Sequence, residues 1–140
     1  MMETSSQLST YDLESIVELL PLDAEFITDG FLPDGTHISP GTEEFKSWIV
    51  KNNGSQSWPC DTSLHYIGGD HICIKDSIPI KPINSGEQTE LTVTLKSPTT
   101  AGSYSCVFRL KSGNQSFGHR LWANIVVDPN LPSKSINELP

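Results

Sequence analysis

The stretch "QTELTVTLKSPTTAGSYSCVFRLKS", Gln88 to Ser112, decides the fold. Its first arm alternates: Leu91, Val93 and Leu95 fall on one side, and Glu90, Thr92, Thr94 and Lys96 on the other. Period two with β-branched residues is the pattern of a strand that is buried on one face only. "SPTTAG" turns the chain, and the second arm alternates again, with Tyr104, Cys106, Phe108 and Leu110 sharing a face. Outward from this pair the texture repeats. "AEFITD", a short edge piece within "LPDGTHISPG", "EEFKSWIVKNN", "SLHYI", "DHICIK" and "HRLWANIVVD" all read as strands. "SLHYI" and "DHICIK" read as a hairpin over "GG", which pairs Tyr66 with His71, and "SIPIKPINSGE" reads as a proline-broken connection. "GNQSFG" reads as the turn before the last strand. Strands separated by short turn signals, without alternating helices, predict an all-β antiparallel sandwich of about seven to nine strands.

The 140 residues fit one domain. The spacing of Leu13, Ile16, Val17 and Leu20 predicts a short helix capped by Thr10 and stopped by Pro21. The expected division is a polar segment with this helix over 1–23, the sandwich over 24–128, and a proline-rich exit linker over 129–140. The formal net charge of −8 disfavours a nucleic-acid backbone or an anionic membrane surface as partner, and favours a basic or amine-bearing one. The N-terminus lacks a basic, apolar leader pattern, and no run approaches ~18 apolar residues. Three unpaired cysteines, Cys60, Cys73 and Cys106, are not a disulfide framework, so a reducing compartment is expected. "NGS" at Asn53 and "NQS" at Asn114 match glycosylation acceptors. They keep a second reading open, an extracellular carbohydrate-binding or adhesion sandwich.

Catalytic motifs are missing: no G-x-S-x-G, no H-E-x-x-H, no phosphate-binding glycine loop before a helix. The expectation is a non-enzyme without a cofactor. His71 and Cys73 lie one residue apart, but Cys60 or His65 would have to complete a zinc set, and no paired spacing supports one. No metal is therefore expected. Of the three tryptophans, Trp48 and Trp122 stand mid-strand and are assigned to the core, with Tyr104 and Phe108. Trp58 follows the turn "NNGSQS" and precedes Pro59, where a sandwich gathers its loops. With Tyr66, Asp70, His71 and the turn residue Asp34, it makes the expected partner-binding set, an aromatic floor with an acidic rim.

"AGSYSC" is similar to the corner of immunoglobulin domains, where a tyrosine lies two residues before a strand cysteine. More widely, "LPDGTHISPGTEEFKSWIVKNNGSQSWP", "LHYIGGD" and "SPTTAGSYSCVFRLKSGNQSFGHRLWANIVVD" resemble the four-tryptophan domain of the neighbour-of-BRCA (NBR-type) selective autophagy receptors. The resemblance runs from Ala24 to Asp128 and puts the first, second and fourth family tryptophans on Trp48, Trp58 and Trp122. The third falls on Phe108, which keeps an aromatic filler but loses an indole N–H. It implies an immunoglobulin-like sandwich without the disulfide, and a module that binds cargo proteins or peptides for delivery to the lysosome or vacuole. It also implies a cytoplasmic receptor that associates with autophagosomes. Zinc-finger, coiled-coil and ubiquitin-binding parts of such receptors are not visible in this stretch. "YDLE" at Tyr11 is a poor copy of their aromatic-x-x-aliphatic recruitment motif, because it ends in an acid.

Overall fold

The computed structural model describes residues 22–131. The helix expected around Leu13 to Leu20 and most of the exit segment lie outside them. Among the described residues the chain forms eight strands. They are β1 (Glu25–Asp29), β2 (Thr36–Ile38), β3 (Glu43–Lys51), β4 (Ser63–Gly69), β5 (Ser77–Pro79), β6 (Gln88–Lys96), β7 (Gly102–Ser112) and β8 (Gln115–Val127). One sheet has the order β1-β3-β6, the other β2-β8-β7-β4-β5. All pairs are antiparallel except β2 with β8. The chain changes sheet after β1, β2, β3, β5 and β6, the interleaving that makes an immunoglobulin-like sandwich.

The alternation read in the sequence sets the core. Leu91, Val93 and Leu95 of β6 face Cys106, Phe108 and Leu110 of β7, and all are buried. Each fully buried side chain of this size adds roughly 1.5–3 kcal/mol of apolar transfer. Trp48 fills the centre. It is wholly buried, its ring centroid lies 5.4 Å from that of Phe108, and its Nε1–H donates to the Trp122 carbonyl at 2.9 Å. That hydrogen bond ties the two sheets, from β3 to β8. The three cysteines are free, with Cys73 and Cys106 buried and Cys60 exposed. Tyr104 is half-buried, and its hydroxyl donates to the Thr100 carbonyl at 2.8 Å, as in a tyrosine corner.

Lys46 sits on the inward face of β3 and is wholly buried. Its ammonium donates to Asp29 Oδ1 at 2.7 Å and to the Leu32 carbonyl at 3.1 Å, and lies 5.3 Å from the centroid of the Trp48 ring. A buried ammonium persists only when paired and hydrogen-bonded in this way.

Two expected elements differ. "DHICIK" is not the return arm of a hairpin. Gly69 has φ 81° and lies so close to β7 that an added Cβ would meet the Ser105 carbonyl oxygen at 2.4 Å. After it the chain leaves the sheet, and Ile72 to Ile74 cross to the β6 edge through Lys96 N–H to Ile72 O (2.7 Å) and Ile74 N–H to Thr94 O (3.0 Å). Ile72 and Cys73 are consecutive and both buried between that edge and the core. The true partner of β4 on that side is β5, inside the stretch read as a connection. The last strand also starts earlier than "HRLW". β7 and β8 meet at Ser112 and Gln115 around a two-residue turn, and the irregularity falls instead between Phe108 and Leu110.

Candidate functional site

The structure divides the expected binding set into three places. Trp58 is buried, with 2% of its surface exposed, and this corrects its assignment as a partner contact. The reason lies in the preceding loop. Asn52 is buried, and its Nδ2 donates to the carbonyls of Gln56 (3.0 Å) and Ile83 (3.2 Å), which folds the loop back on the sandwich. Trp58 then enters the core, where its Nε1–H donates to the Asp23 carbonyl at 3.0 Å and its ring lies 6.0 Å from Phe117. The second correction is the mirror image. Trp122 was expected in the core and is 47% exposed. Leu121, Ala123 and Ile125 take the inner face of β8, so period two turns Trp122 outward.

Asp34 and Asp70 come together in one polar row across the five-stranded sheet. Asn124 Nδ2 donates to Asp34 Oδ1 at 3.0 Å, Ser105 Oγ donates to Asn124 Oδ1 at 2.5 Å, and the Ser105 amide donates to Asp70 Oδ2 at 2.9 Å. Trp122 stands two residues from Asn124 on the same outer face. Across the ladder it meets Val107, and Ile67 is exposed on the β4 bulge beside them. Arg109 and Arg120 continue the outer face on the side away from Asp34 and Asp70. The result is an apolar centre with one acidic and one basic end.

Tyr66 and His71 form the third place, at the end of β4. Their ring centroids are 4.9 Å apart, so the expected contact exists, made by a loop and not by a ladder. His71 Nε2 lies 2.5 Å from Asp76 Oδ1, and Cys73 Sγ lies 3.7 Å from the same oxygen. The His71 hydrogen bond holds the Asp76 carboxyl below its usual range. Burial, then the Asp76 charge, push the Cys73 thiol up to about 11. Burial, and then Cys73, raise the Tyr66 hydroxyl. Asp76 was not singled out from the sequence, because only the fold-back of the loop brings it to His71.

A second exposed apolar place lies on the other sheet. Phe45, Ile74, Lys75, Ile78, Thr92 and Thr94 line a groove of about 280 Å³, and Phe45 is 62% exposed. The groove is small against the ~300–1,000 Å³ of small-molecule sites.

Residues 31–127 match the family described as the Ig-like domain from next to BRCA1 gene. "Next to BRCA1 gene 1 protein" of Rattus norvegicus is 33% identical over 126 residues, 88% of this chain and 13% of that protein. "Protein NBR1 homolog" of Arabidopsis thaliana is 32% identical over 122 residues, 84% of this chain and 17% of that protein. "Autophagy receptor Nbr1" of Schizosaccharomyces pombe is 30% identical over 109 residues, 74% of this chain and 27% of that protein. The chain thus spans a small part of these relatives' length. The match covers β2 to β8 and includes Trp48, Trp58, Phe108 and Trp122. This chain belongs to the family of immunoglobulin-like domains from next to BRCA1 gene.

Proposed function

We propose that this domain is a non-catalytic protein-binding module of a selective autophagy receptor, and that it holds a cargo protein through an exposed peptide segment. The observation that carries the reading is Trp122, a tryptophan 47% exposed at the centre of the larger sheet's outer face. Exposed aromatic surface with apolar neighbours is what protein interfaces use for their central contacts. Asp34 and Asp70 lie at one end of this face, and the formal net charge is −8, so a segment bearing a lysine, an arginine or a free amino terminus fits it. The relative named as an autophagy receptor supports the cellular setting: a cytoplasmic receptor that carries cargo to the autophagosome and then to the lysosome or vacuole.

The test is selection of peptides on the folded chain from a library that varies basic residues and free amino termini. Selected peptides should bind Trp122→Ala at least tenfold more weakly, and Asp34→Asn more weakly at low salt. Phe45→Ala should bind as wild type does. A loss confined to Phe45→Ala would move the site to the other sheet, and a library that yields no binder would end the reading.

A further inference from the structure

We propose that His71, Cys73 and Asp76 form a binding site for a zinc-like divalent cation on the loop between β4 and β5. The imidazole nitrogen, the thiol sulfur and a carboxylate oxygen all lie within 4.8 Å of one another. The loop is anchored on both sides of the cluster. Ile72 and Ile74 are bonded to the β6 edge, and the Asp76 carbonyl accepts the Tyr66 amide at 2.9 Å. Cys73 bridges to Leu95, so its position is fixed by the sandwich and not by the loop alone. The Tyr66 ring packs on the imidazole and limits its rotation.

The donors lie near the spacing the ion needs, and the widest pair, at up to 4.8 Å, must close by about 1 Å. A tetrahedral zinc about 2.0–2.3 Å from each donor sets the donors roughly 3.3–3.6 Å apart. Cys73 Sγ and Asp76 Oδ1 are already 3.7 Å apart. His71 Nε2 and Asp76 Oδ1 are at 2.5 Å and must open by about 1 Å. Both side chains are more than half exposed and have the room to do so. Sulfur with imidazole nitrogen selects a borderline-soft ion over magnesium or calcium, which prefer oxygen alone. Three protein donors with two of them exposed leave the fourth position open to solvent or to an incoming group.

Titration of the metal-free full chain with Co²⁺ tests the site. A near-ultraviolet thiolate-to-cobalt band should grow to one equivalent and be removed by Zn²⁺. Cys73→Ser should abolish the band. His71→Ala and Asp76→Asn, changed at exposed positions, should each weaken binding at least tenfold without altering circular dichroism. Zinc should raise the melting temperature of wild type and not of Asp76→Asn. Cys60→Ser, which removes the exposed thiol, should leave the band intact. No band in wild type, a band that survives Cys73→Ser, one that vanishes with Cys60→Ser, or equal affinity in the His71 and Asp76 variants would overturn the site.

Discussion

Trp58 and Trp122 carry the same side chain to opposite ends. Trp58→Ala removes a wholly enclosed indole and its hydrogen bond to Asp23, and should cost about 3–5 kcal/mol of stability. Trp122→Ala trims a half-exposed ring while the backbone carbonyl that accepts the Trp48 indole stays in place, so about 1 kcal/mol or less is expected. Urea unfolding of both variants checks the contrast. Equal losses would mean that Trp122 is packed as core. The sequence reading put Trp122 in the core although Leu-Trp-Ala-Asn-Ile alternates and its small and aliphatic members claim the inside. The burial of Trp58 was not legible, because it depends on Asn52 bonding to Ile83, a residue 31 positions away. Lys46 is the other residue whose pattern gave no warning, since a lysine on the core side of a strand reads as an error in alternation. Its partners Asp29 and Leu32 come from another segment. Lys46→Ala should cost roughly 3 kcal/mol by leaving Asp29 without its cation, and Lys46→Met clearly less, measured in the same urea series.

Strands with one buried face declared themselves by period two, and β6 and β7 lie where the alternation put them. Elements held by a close approach did not. The segment after Gly69 has strand composition, but its two adjacent buried residues plug the gap beside β6, and only the neighbouring backbone shows this. The same holds for Asp76, which the loop folds onto His71. β2 is a three-residue element joined to β8 in parallel, and its far end is held by His37 Nδ1 against Asp128 Oδ2 at 3.1 Å. That contact, followed by the Asn130 amide, lowers the Asp128 carboxyl below the usual carboxylate range. A depressed folded value means that the stabilisation is complete above the unfolded value and disappears as pH falls through the folded one. Asp128→Asn should therefore be less stable than wild type near about pH 5, and the gap should narrow toward about pH 3. Denaturant midpoints at the two pH values check it, and a gap that widens on acidification would contradict the assignment.

On the scale of the whole domain, the cysteines report the packing. Cys60 is exposed, whereas burial pushes the Cys73 thiol up to about 11 and the Cys106 thiol up to about 12. In the native protein one thiol should be alkylated quickly at about pH 8 and two slowly, and unfolding in urea should make all three equal. A second fast thiol in native protein would show that the end of the sandwich near Cys73 opens. The tie between the sheets, the Trp48 indole on the Trp122 carbonyl, has a wider bearing. It is a reversible bond made of the chain's own atoms, so no oxidant has to act before the fold is complete and no reductant can undo it. It also leaves no covalent ring in the unfolded chain. A machine that pulls one end can draw the polypeptide through a narrow channel as a single thread, with no crosslink to cut first.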